Sequence, residues 1–166
     1  MTKKSNNGNN LVTISCIAIV VIGLLVYFLF IRNNSTPSVA ADKESLEKVN
    51  AGLRNLVYEQ ISLNDFQNKA KEYCTDNLIN KLTKYYNNDS SSVCLDVAGC
   101  SVDGGYIGNS TDIYYREFKI GEVKADTVEA TGLYGESAND AKSQKITYKL
   151  ENGKWKLDDF DIIDYR

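Results

Sequence analysis

Four cysteines, a cluster of aspartates near the C-terminus and adjacent pairs of tyrosines are the residues here with chemistry to offer, and histidine is absent. Without imidazole the chain lacks the commonest general base, the Ser-His and Cys-His nucleophile pairs and the commonest zinc ligand. Cys16 stands in an uncharged apolar run, which leaves Cys74, Cys94 and Cys100 to a folded domain. Cys94 and Cys100 have five residues between them, Gly99 included, and in an oxidising compartment are expected to close a small disulfide loop. So short a loop stabilises a fold by only a few kcal/mol. Cys74 falls on an apolar helical face and reads as a buried small hydrophobe. Zinc is disfavoured, because no CxxC pair accompanies these thiols.

The aspartates have a sharp and a bland reading. Asp158, Asp159, Asp161 and Asp164 (DDFDIID) offer the oxygen ligands that calcium requires. Yet Asp159 and Asp161 alternate with Phe160 and Ile162, the pattern of a strand with a solvated acidic face. Asp96, Asp103 and Asp112 in the glycine-rich stretch read the same bland way. Gly104-Gly105-x-x-Gly108 lacks the Lys-Ser/Thr of a phosphate loop and has acids beside it, so nucleotide binding is not expected. No catalytic residue, cofactor or metal ligand is assigned. Tyrosine is more distinctive, with 11 copies against one tryptophan. Tyr85/Tyr86 and Tyr114/Tyr115 are adjacent pairs, so on a strand one member of each must face outward. Exposed aromatics suit a protein interface or a ligand-lined mouth; rims of the core with hydroxyls in water are the alternative.

These residues need elements to position them, and the 166 residues allow about one domain. Hydrophobic residues make up 43% and charged residues 25%, an ordinary globular balance that is unevenly distributed. Residues 11–31 (LVTISCIAIVVIGLLVYFLFI) are 21 in a row without charge. As a helix they span roughly 30 Å, the hydrocarbon thickness of a bilayer. Tyr27, Phe28 and Phe30 gather at the end that would meet the membrane–water interface. A cleaved signal peptide is the alternative, with Ser38-Val39-Ala40 as its cleavage site, but its apolar region is usually about 7–15 residues. A lipoprotein reading of Ser15-Cys16 fails, since a lipoprotein's apolar run precedes its cysteine whereas most of this one follows Cys16. Lys3 and Lys4 before the run favour a cytoplasmic N-terminus and an extracytoplasmic C-terminal domain. The expected organisation is a cytoplasmic tail over 1–10, a transmembrane helix over 11–31, a flexible stalk over 32–41 and an α+β domain over 42–166. Beyond Arg32 the chain carries 16 Lys and Arg against 22 Asp and Glu, a net of −6, which disfavours nucleic acid as a partner.

Within 42–166 a helical half precedes a strand half. Asp42 is a plausible N-cap, followed by Leu46, Val49, Leu53, Leu56 and Val57 at helical spacing, predicting a helix over about 42–61. Ser62 offers a cap to a second helix with Phe66, Ala70, Tyr73 and Cys74 on one face. Thr75 and Asp76 start a third, carrying Leu78, Ile79, Leu82, Tyr85 and Tyr86. The glycine-rich 93–111 reads as short strands or loop, and 113–120 (IYYREFKI) as a strand with Tyr114, Phe118 and Ile120 sharing a face. Val128, Ala130, Gly132 and Tyr134 alternate in the next run. Asn152-Gly153 is the preferred two-residue hairpin turn. Counting outward, Glu151 faces Lys154, Leu150 faces Trp155 and Tyr148 faces Leu157, so charged and apolar pairs separate onto opposite faces. The fold class is therefore α+β, a curved antiparallel sheet with helices packed on one face.

Helices followed by a sheet that closes with KLENGKWKLDDFDI resemble the nuclear-transport-factor-two-like (cystatin-like) cone fold. The chain is similar in particular to membrane-anchored bacterial members, including channel-scaffold subunits of conjugation and type IV secretion machines. The resemblance covers about 42–166 and is most specific over 146–163. It implies a non-enzymatic assembly role at the cell envelope, with the lipid bilayer, other envelope proteins or a second copy as partners; no family catalytic residue carries over. A ligand-binding or sensor domain of the same fold is the alternative, and a carboxylate-dependent hydrolase or isomerase ranks behind it.

Overall fold

The computed structural model of the chain describes residues 40–96, 100–109 and 114–165. The expected tail, transmembrane helix and most of the stalk, together with Gly99, Asp112 and Ile113, lie outside the described residues. Among the described residues no helix is long and apolar enough to cross a membrane.

Three helices come first, each started by the expected side chain. Helix α1 (Lys43–Val57) begins where Asp42 accepts a hydrogen bond from the Ser45 amide at 2.8 Å. Helix α2 (Leu63–Ala70) begins where Ser62 Oγ accepts from the Asp65 amide at 3.1 Å. Helix α3 (Asp76–Thr83) is capped by Thr75, whose Oγ1 also donates to Asp158 Oδ1 at 2.7 Å. Each cap satisfies an amide that has no partner within its own helix. The apolar faces then sink into one core: Leu46, Leu53, Leu56 and Val57 from α1, Phe66 and Ala70 from α2, and Leu78, Ile79 and Leu82 from α3.

The helices are shorter than their apolar periodicity suggests. Helix α1 stops at Val57 and not near 61, and α2 at Ala70, so Tyr73 and Cys74 belong to the connection that follows. The Cys74 side chain is buried, as expected, but Cys74 forms a parallel bridge with Leu157. Tyr85 and Tyr86 leave α3 as well: Tyr86 opens the two-residue strand β1 (Tyr86–Asn87), paired with β2 (Ser92–Val93). Helical spacing persisted past both stops because Tyr73, Cys74, Tyr85 and Tyr86 still pack against the core from non-helical backbone.

In the glycine-rich region β3 (Val102–Asp103) leads into a four-residue helical turn, α4 (Gly105–Gly108), all of whose residues are buried. The main sheet is an antiparallel meander of β4 (Tyr115–Val123), β5 (Thr127–Gly135), β6 (Lys142–Glu151) and β7 (Lys154–Phe160). A last pairing joins β8 (Ile163–Asp164) to β3. The β6–β7 hairpin has the expected register, with Glu151 opposite Lys154, Leu150 opposite Trp155 and Tyr148 opposite Leu157. Asn152 (φ 53°) and Gly153 (φ 74°) both take the positive φ that this tight turn demands. The alternation on β5 also holds, with Val128, Ala130 and Tyr134 buried and their neighbours half-exposed. Between Thr147 and Tyr148 the register slips by one residue. That bulge brings Phe160 inward after Trp155 and Leu157, a parity that strict alternation does not give.

Candidate functional site

The two ends of the meander differ. The outer edge of β7 is engaged: Thr75 N donates to Leu157 O and Leu157 N donates to Tyr73 O, both at 2.8 Å. Strand β4, at the other end, has no further strand on its outer side among the described residues. Such an edge presents backbone donors and acceptors to any extended chain that approaches it. Phe118 anchors the strand, buried against Tyr106 and Tyr148 with ring centroids 5.9 and 6.2 Å away. On the opposite face a polar ladder runs along the strand. Tyr115 Oη donates to Glu117 Oε2 at 2.8 Å, and Lys119 Nζ lies 2.8 Å from Glu117 Oε1. The Lys119 ammonium, with the Tyr115 hydroxyl, holds the Glu117 carboxyl below its ordinary pKa. Tyr114, at the head of the strand, is 84% exposed.

Tyr85, Tyr86, Cys94 and Cys100 converge elsewhere. They line one open cleft of about 420 Å³ together with Lys84 and Asp89. Cys94 and Cys100 are joined as a disulfide with their Cα atoms 5.8 Å apart, while Cys74 is a free, buried thiol whose pKa burial pushes up. Tyr86 Oη donates to Ile61 O at 2.7 Å, and the Cys94 amide donates to Tyr85 O at 2.8 Å, so backbone fixes both sides of the cleft. Tyr114 and Tyr115 are not part of this cleft. The four expected tyrosines therefore divide between a pocket and a strand edge.

The C-terminal aspartates are used in holding elements together. Asp158 accepts from Thr75, Asp159 lies 2.6 Å from Lys81 Nζ, and Asp161 Oδ2 accepts from the Lys145 amide at 3.1 Å. Among the described residues no three carboxylates or thiols cluster closely enough to hold a metal ion.

One acidic pair is more than a solvated face. Asp96 Oδ1 accepts from the Gly104 amide and Asp103 Oδ1 from the Gly105 amide, each at 2.7 Å, so successive glycine amides hold the two carboxyls as neighbours. Burial first, and then Asp103, push the Asp96 pKa up to about 8. Tyr134 stands over the pair and Tyr58 faces Asp96; burial and these carboxylates push both phenols up to about 12. Gly105 has φ +56°, and a Cβ there would stand 2.8 Å from the Tyr134 ring, so only glycine presents its amide this way. Gln144 closes the site from β6, its Nε2 donating to Gly104 O at 2.7 Å and to Asp161 O at 2.9 Å. Helix α1 and its C-cap grip the same segment: Arg54 donates to the carbonyls of Tyr106 and Ile107, and the C-cap Tyr58 Oη to that of Gly108. The local signal for this site was Asp103 followed at once by two glycines, whose amides a carboxylate can cap.

Comparison with known proteins finds no family model, no curated protein and no solved structure that matches this chain.

Proposed function

We propose that this chain is a single-pass, membrane-anchored, non-enzymatic interaction module, a subunit or scaffold of a cell-envelope complex, that docks through the β4 edge. The observation that carries the reading is a strand edge with no further strand beside it among the described residues, headed by an 84% exposed tyrosine. An added strand gains main-chain hydrogen bonds from the edge, and Tyr114 supplies the large, rigid contact surface that interfaces favour. The uncharged run over 11–31 supports an anchor, which confines the domain near other envelope components and raises their effective concentration. The assignment to a conjugation or secretion machine rests on resemblance of fold alone.

A photo-crosslinking residue in place of Tyr114 in the full-length chain, followed by mass spectrometry of the trapped species, tests this reading. Trapped envelope proteins or a second copy support it. It fails if no protein is trapped, and a single carboxylate change that then abolishes a measurable turnover would point to an enzyme instead.

The cleft beside Tyr85 and Tyr86 favours a second reading, a domain that binds a small polar ligand. Co-purification of a small molecule that is lost on replacing Tyr85 would favour it over the first.

A further inference from the structure

Resting on the reading of β4 as the docking edge, we infer that its occupant is the β4 strand of a second copy, paired antiparallel about a twofold axis through Phe118.

The register follows from geometry. A twofold axis perpendicular to the sheet relates two antiparallel edge strands so that directly opposite residues point to the same face. On β4 the even position Phe118 faces the core, while Glu117 and Lys119 lie on the other face. Residues of like parity must therefore meet, and the axis passes through a residue, which pairs with its own twin. Centring on Lys119 sets two ammoniums face to face, and centring on Glu117 sets two carboxylates face to face. Like charges opposed in this way destabilise a strand pair. Centring on Phe118 places Glu117 of each copy opposite Lys119 of the other. The 2.8 Å intrachain ion pair then becomes the repeat of an alternating four-charge ladder across the interface. The bulge between Ile120 and Val123 disrupts pairing beyond that point and further disfavours registers centred towards the C-terminal end. A lone lysine usually guards a sheet edge against pairing. Here Glu117 on the same face converts the guard into a selector for this one register.

The test uses two differently tagged full-length copies co-expressed in one membrane, with capture through one tag and quantification of the other. Glu117→Lys and Lys119→Glu change only partly exposed charges and leave Phe118 in place. The wild-type pair should co-capture. Each variant paired with itself should lose co-capture by about tenfold, because two like-charge oppositions replace two attractive ones. Glu117→Lys mixed with Lys119→Glu should recover it, since every opposition is again complementary; that recovery also shows both variants are folded. Co-capture indifferent to the single reversals, or no recovery in the mixture, overturns the self-pairing. If the Tyr114 crosslink still traps another envelope protein in that case, the docking reading survives without it. If it traps nothing, both fall.

Discussion

Asp96 and Asp103 are two carboxyls held side by side by successive glycine amides in a half-buried site, and the charge this implies makes the fold sensitive to pH. Asp96 Oδ2 is buried with no donor among the described residues. A proton on the pair supplies one, and burial beside a second carboxyl keeps that proton bound up to about pH 8. An unfolded aspartate titrates near about pH 3.9. The folded chain thus binds more protons than the unfolded chain between those values, and stability must fall as pH rises through that window. The contribution is complete below about pH 4 and gone above about pH 8. Thermal melts across this range should show the melting temperature declining towards alkaline pH. Asp96→Asn removes the titrating carboxyl in favour of a neutral amide of the same shape and should flatten that slope, raising stability at pH 8 relative to wild type. Parallel profiles for the two proteins would show that Asp96 does not carry the pH dependence.

At the scale of elements, α1 is tied to the sheet by one buried polar contact, in which Tyr148 Oη of β6 donates to Asn50 Oδ1 at 2.6 Å. Both residues are 0% exposed, and Asn50 Nδ2 already has no acceptor among the described residues. Tyr148→Phe removes the donor and leaves the Asn50 carbonyl stranded, a cost of about 1–3 kcal/mol. Adding Asn50→Leu to that variant removes the stranded group, and the double variant should recover part of the loss in urea denaturation. A strictly additive double variant would deny the contact its role. Elements such as these were legible where their determinants are local. Asp42, Ser62 and Thr75 announced three helix starts because a cap and its amide are three residues apart. Asn152-Gly153 set a register because turn and strands adjoin. What escaped was non-local or too short to carry a period. The β3–β8 pairing joins two-residue strands some sixty positions apart, and the β7 edge is engaged by a connection between helices. The acidic pair escaped for the same reason: Asp103 beside two glycines is a loop signal until Asp96 and Tyr134 arrive from elsewhere in the chain.

At the scale of the whole molecule, the described residues lie within one compact unit, Val39–Arg166, and the uncharged run precedes it. If that run is the anchor, attachment and folding are separable properties, and removal of 1–38 should cost one without the other. The full-length protein should remain with membranes through alkaline carbonate, and protease added outside intact cells or spheroplasts should digest the domain while sparing the tail. The freed unit should keep the cooperative melt of the anchored protein, because its core is built from its own helices and sheet. Its capture of partners should nonetheless weaken. A strand-edge contact with a few side-chain anchors is modest, and confinement in the membrane plane is what raises its occupancy. Matching thermal melts with reduced co-capture at equal expression is the expected result. Undiminished capture by the freed domain would mean that the edge binds tightly enough by itself, and release by carbonate would mean that residues 11–31 are not an integral anchor.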